Sequence, residues 1–194
     1  MKKILLHSSL LCFLFWFVSQ NISAQTLSTT FETSNGLKTA TYEEAIAYYF
    51  ALEKKFSSIT VYEMGQTDSG FPLHVVIFDP ENEGQKKSSE KFYKNGKNLL
   101  LINNGIHPGE PDGIDATMLL FRDFAEGKVA APKNTIIAAI PVYNIGGAMN
   151  RNSTSRTNQN GPEEYGFRGN ARNYDLNRDF IKNDTKNARA FAEI

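Results

Sequence analysis

The sequence holds one cysteine, Cys12, and it falls in the apolar run that opens the chain. Lys2 and Lys3 precede that run, which spans residues 4–18 with only His7, Ser8 and Ser9 interrupting it. A largely polar stretch, residues 19–23, then leads to Ala24. Basic, apolar and polar regions in that order read as a secretory signal peptide over residues 1–24, cleaved between Ala24 and Gln25. The apolar part is short for a membrane span, and Leu10 and Leu11 stand where a lipoprotein signal carries small residues before its cysteine. No stable membrane anchor is therefore expected, and the protein is expected to be secreted or periplasmic.

With Cys12 removed, neither disulfides nor thiolate metal ligands remain, so any metal must be held by His, Asp or Glu. Histidine is scarce as well, since only His74 and His107 lie beyond the signal. There is no excess of charge: 21 basic residues face 21 acidic ones, and losing Lys2 and Lys3 leaves 19 against 21. Nothing in that balance calls for a nucleic-acid partner.

The 194 residues less the signal's 24 leave 170, ample for one domain with a real core. Residues 25–40, rich in Thr and Ser, read as a loose leader, and the domain is expected over residues 41–194. Thr41 and Glu44 have capping-box spacing, and Ala45, Tyr49, Leu52 and Phe56 recur at helical intervals behind them. Two β-rich runs, residues 59–64 and 72–78, flank a Gly- and Asp-containing turn and should pair antiparallel. Leu99-Leu100-Leu101-Ile102 reads as a central strand buried on both faces, residues 112–124 as a helix stopped by Gly127, and residues 135–142 as a second buried strand. Strand, helix and strand make a crossover of the kind found in parallel sheets. The fold class expected is α/β, a mixed parallel/antiparallel sheet flanked by helices. Residues 144–174, rich in Asn, Gly, Arg and Ser, read as a long loop of the sort that carries function. Residues 184–194 read as an amphipathic helix without a closing Gly, Asn or Pro, so the chain is expected to be a fragment.

Two segments carry candidate chemistry. His107-Pro108-Gly109-Glu110 sets an imidazole and a carboxylate three residues apart at a strand end, where α/β sheets place their sites. Zinc takes both donor types and usually keeps three protein ligands with an open position for water. On spacing alone a second reading stands beside it: Glu110 faces the positive start of the next helix and His107 is a packed turn residue. Farther on, Asp175-Leu176-Asn177-Arg178-Asp179-Phe180 places an amide beside a guanidinium, a pair able to grip a carboxylate. There the competing reading is a salt bridge from Arg178 to Asp175 or Asp179. His74, between Leu73 and Val75, reads as structural.

Together these segments resemble the zinc carboxypeptidase family, whose hallmarks are His-x-x-Glu after a central strand and a downstream Asn-Arg pair in an Asp-Leu-Asn-Arg-like run. The strand ending in Pro141-Val142-Tyr143-Asn144 is similar to the family's strand before its substrate loop, and the likeness covers residues 41–194. It implies that His107 and Glu110 are ligands to Zn2+ and that Asn177 and Arg178 bind the carboxylate of a peptide with a free carboxy terminus. It also implies an upstream arginine facing the oxyanion. Arg156, in Ser155-Arg156-Thr157-Asn158, matches that segment best, with Arg151, Arg168 and Arg172 as competitors. Asp179 departs from the Asn that often follows the pair. The family's third ligand, a later His, and its general-base Glu have no counterpart, since no His follows position 107. The activity implied is hydrolysis of the last peptide bond. The alternatives are a deacylase of N-acyl amino acids, which shares these motifs, and a non-catalytic peptide-binding relative.

Overall fold

The computed structural model describes residues 27–81 and 97–194. The signal-peptide reading lies outside them. In chain order the elements are α1 (Thr30–Thr33), α2 (Tyr42–Lys55), β1 (Ile59–Gln66), β2 (Pro72–Phe78), β3 (Asn98–Asn103), α3 (Asp112–Ala125), β4 (Thr135–Ile140), α4 (Ile145–Met149), a 3-10 turn (Leu176–Arg178) and α5 (Lys186–Ala192).

Helix α2 begins where its cap dictates. The Thr41 hydroxyl accepts from the Glu44 amide while the Glu44 carboxylate accepts from the Thr41 amide, so two amides that no helical carbonyl can reach are satisfied. The four strands lie in the order β1-β2-β4-β3. β1 and β2 form the expected antiparallel pair, β2 pairs antiparallel with β4, and β3 runs parallel to β4 through the α3 crossover. Alternation along β2 and β4 divides the core. Val76, Phe78, Ile137 and Ala139 face Tyr49, Leu52, Met118 and Phe121 of α2 and α3, whereas Leu73, Val75, Ile77, Ile136, Ala138 and Ile140 belong to a second cluster with Leu176 and Ala190. Covering both faces is why these strands are apolar nearly throughout.

The sheet corrects two expectations. The strand at residues 99–102 is an edge, not the centre: Leu99, Leu100 and Leu101 are 42%, 50% and 37% exposed, because β3 has a neighbour, β4, on one flank alone among the described residues. The interior positions belong to β2 and β4. The stretch read as a loose leader is also ordered from residue 27. Thr29 and Glu32 form a second capping box, Arg122 of α3 donates to the Leu27 carbonyl (2.9 Å) and to Glu32 (2.7 Å), and buried Asp115 accepts from the Thr39 hydroxyl and the Ala40 amide.

Strand pairing extends past β3 and β4 and sets the course of the loops beyond them. The Asn104 amide donates to the Ile140 carbonyl, and the Tyr143 and Asn144 amides donate to the carbonyls of Asn104 and Gly105, so the two loops leave side by side. The long loop then folds back on both: Gly166 donates to the Pro108 carbonyl (3.1 Å) and Phe167 to that of Gly147 (2.8 Å). The Asn144 side chain caps α4 at the Gly147 amide and donates to the Arg168 carbonyl. A methyl group at Gly147 would overlap the Phe167 carbonyl and approach Asn144 Nδ2 to 2.6 Å, so backbone packs there against backbone. Gly147→Ala is therefore expected to lower stability by about 1–3 kcal/mol in thermal or chemical melts. Ile181→Ala, at a side chain 98% exposed, should stay within about 0.5 kcal/mol of the parent.

His74 is buried in β2, with the Tyr42 hydroxyl 3.4 Å from its Nδ1 and the Phe50 ring set edge-on against it. Burial disfavours the charged ring and outweighs Glu63, which lies 3.9 Å away with a largely solvated carboxylate, so the His74 pKa falls below its ordinary 6.5. The unfolded chain then takes up a proton that the folded chain refuses. Stability from neutral His74 is complete above about pH 6.5 and is lost as the pH falls toward the depressed folded value. The urea midpoint should drop between about pH 7 and about pH 5, and His74→Phe should remove that component of the drop.

Candidate active site

The turn after β3 is tight because Gly105 adopts φ +63°, where a Cβ would meet the Ile114 side chain at 3.1 Å, and because the Glu110 amide closes back on the His107 carbonyl at 2.8 Å. His107 is buried and Glu110 is exposed. The pair thus leaves one strand end with its two donors in different surroundings.

His107 does not stand alone. Its Nε2 lies 2.9 Å from Oδ1 of Asp175, which is 68 residues farther along the chain. The same oxygen accepts from the Asn177 amide (3.1 Å), and Oδ2 accepts from Nε (3.1 Å) and Nη2 (2.9 Å) of Arg168. Burial pushes the Asp175 carboxyl up, but the bonds from His107, Arg168 and the Asn177 amide more than offset it, leaving a pKa of about 2. Asp175 is therefore an acceptor at neutral pH, and His107 must present Nε2–H to it. A neutral imidazole so oriented has its lone pair on Nδ1, free for a metal.

Glu110 meets Arg156, whose Nη2 is 2.6 Å from Oε1. The Arg156 segment is held by Tyr165, whose hydroxyl bonds both the amide and the carbonyl of residue 156, while Gln159 donates to the Gly109 carbonyl. The four arginines weighed from the sequence thus separate. Arg156 is at Glu110 and Arg168 is at Asp175. Arg151 staples the carbonyls of Thr39, Ala40 and Glu164, and Arg172 stacks on Tyr174 and lies 3.7 Å from Asp68, so both serve the scaffold.

Asn177 and Arg178 are exposed between buried Leu176 and buried Asp179. Among the described residues no ion pair joins Arg178 to either neighbouring acid; Asp175 is taken by His107 and Arg168, and Asp179 by Thr185. The guanidinium donates to the Asn177 carbonyl. Burial pushes the Asp179 carboxyl up, yet the Thr185 hydroxyl and the Asp184 and Thr185 amides hold it below the ordinary value.

Asp175 is the residue at the centre of these contacts that spacing did not single out. Its signal was present, since an Asp two residues before an Asn in a short turn suits a side-chain bond to that amide. What no local pattern contains is its partner, His107. For a metal, the His107 Nδ1 and the Glu110 carboxylate are donors of the kinds zinc takes, and together they would be two of the three protein ligands typical of a catalytic site. No group of three such side chains occurs among the described residues.

The family model for zinc carboxypeptidases matches residues 45–192. Among solved structures, a metallo-carboxypeptidase from Burkholderia cenocepacia is 17% identical, with a TM-score of 0.55 over 80% of this chain and 37% of its own. A metallo-carboxypeptidase from Pseudomonas aeruginosa, solved with (2-guanidinoethylmercapto)succinic acid, is 14% identical, with a TM-score of 0.53 over 80% of this chain and 36% of its own. No curated protein matches the chain. These two likenesses show the fold, and the chain spans little more than a third of the length of either structure. With the model's match extending from the first turn of α2 through the last helix, the chain belongs to the zinc carboxypeptidase family.

Proposed function

We propose that this chain carries the metal-donor and substrate-anchor half of a secreted or periplasmic zinc carboxypeptidase centre that acts on peptides with a free carboxy terminus. The observation that supports this reading is the Asp175 carboxylate, which joins a candidate metal donor, His107, to the turn bearing Asn177 and Arg178. A catalyst that removes terminal residues needs those two functions at a set separation, and one side chain touching both provides it.

In this reading His107 Nδ1 and Glu110 would hold the zinc, which would supply a Lewis acid for the scissile carbonyl. Asp175 keeps the His107 ring oriented and its Nε2 protonated. Arg178, with Asn177 beside it, takes the substrate's terminal carboxylate by charge-assisted hydrogen bonds and so fixes the chain end of the peptide. The oxyanion donor is assigned to Arg156, which already reaches Glu110, with Arg168 as its rival at Asp175. The side chain of Arg168 is 44% exposed against 20% for Arg156, which leaves Arg168 more open to a substrate oxygen. A third zinc ligand and a general base belong to the same reading.

Two measurements test it. Zinc content after dialysis should fall in His107→Ala and Glu110→Ala relative to the parent protein, and equal zinc in all three would remove the metal assignment. Arg178→Ala should raise the Kd for a peptide with a free carboxylate by about tenfold or more, the equivalent of one charge-assisted bond, with little change for its amidated counterpart. Equal effects on both peptides would refute the carboxylate anchor.

A further inference from the structure

We infer that Asp179 is a positioning residue for the carboxylate anchor: it clamps the turn carrying Asn177 and Arg178 to the start of α5 and keeps its own charge away from the Arg178 guanidinium. The inference rests on the reading of Arg178 as the substrate-carboxylate site.

The turn is short, and its two outward side chains, Asn177 and Arg178, are the exposed ones between buried Leu176 and Asp179. A three-residue 3-10 turn has little stability of its own, so the direction in which its side chains project depends on what holds its ends. Asp175 holds the first end through the Asn177 amide. Asp179 holds the second. Its amide donates to the Leu176 carbonyl, its Oδ1 accepts from the Asp184 amide at 2.9 Å, and its Oδ2 accepts from the Thr185 amide at 2.9 Å and the Thr185 hydroxyl at 2.6 Å. Thr185 in turn caps α5 at the Ala188 amide, and α5 is seated on the sheet by Asn187, which donates to the Tyr143 carbonyl. Phe180, the next residue, stacks on Tyr143 with ring centroids 5.7 Å apart and planes 4° apart. The turn is thereby tied, through Asp179 and its neighbour, to the segment that follows β4 and to a helix packed on β1 and β2.

The second consequence is electrostatic. Arg178 sits between acids at positions 175 and 179, either of which could neutralise it. Asp179 is 3% exposed, and its two oxygens face the three donors of Asp184 and Thr185, which leaves the guanidinium available to an outside carboxylate. Asparagine at this position has one acceptor oxygen where aspartate has two, and its amide group would oppose an N–H. The aspartate is thus the better clamp for this arrangement of donors.

The test is an NMR titration of the full chain with N-acetyl-leucine and with N-acetyl-leucine amide. Asp179→Ala should weaken binding of the free acid by about tenfold or more, in parallel with Arg178→Ala, and leave the amide ligand unaffected. Asp179→Asn should fall between the parent and the alanine variant. Because Asp179 acts through Arg178, the double variant should bind no more weakly than Arg178→Ala alone, whereas a general loss of structure would add a further decrement. Amide exchange should quicken at Arg178 but not at Ile137 in the core strand. Parent-like affinity in Asp179→Ala, or in Asp179→Asn should the alanine variant not fold, overturns the inference while leaving the anchor intact. An additive double variant overturns it too. Undiminished binding by Arg178→Ala overturns the anchor itself and the clamp with it.

Discussion

The arrangement of this chain turns on the Asp175 carboxylate. One oxygen takes the His107 imidazole and the amide that starts the 3-10 turn, and the other takes the Arg168 guanidinium, so three segments converge on one charge. A partly buried carboxylate costs desolvation, and it is retained here because its acceptor sites are met by donors, two of them able to carry charge. Without that charge, no other side chain among the described residues would orient the His107 ring through Nε2, and the long loop would lose its closest tie to the turn that bears Asn177 and Arg178.

The sheet makes the convergence possible. Parallel pairing of β3 with β4 sends both chains out at the same end, and the hydrogen bonds continue for several residues past the strands, carrying the His107 turn and the Asn144 cap side by side. The loop after Asn144 can then close over both, and it does so through backbone contacts at Gly147 and Gly166 that leave no room for a Cβ. The edge of β3 is the exception to this economy. Its leucines have the composition of a two-sided buried strand and the exposure of an edge, and an apolar edge of this kind is a surface ready to pair.

Much of this was legible along the chain. Helix α2 followed from a capping box and 3.6-residue spacing, the hairpin from two β-rich runs around Gly and Asp, and the crossover from two apolar runs separated by an amphipathic helix. The ordered start of the domain was legible in principle, since Thr29 and Glu32 repeat the spacing of Thr41 and Glu44. Its Thr- and Ser-rich composition argued the other way, and the docking that decided the matter comes from Arg122 and Asp115 on α3. The rank of β3 in the sheet was not legible, because an apolar run looks the same in the middle of a sheet and at its rim.

The same division runs through the site. Caps, periodicities and turn glycines act over a few residues, and so does the choice of donor types, so the elements, the His-x-x-Glu pair and the Asn-Arg pair could be read directly from their order. Which charge meets which is a matter of separation in space. Four arginines of similar local setting ended against four different sets of partners, and His107 found its partner 68 residues away, because Coulomb and hydrogen-bond energies depend on ångström distances that exist only once the sheet has brought the loop ends together.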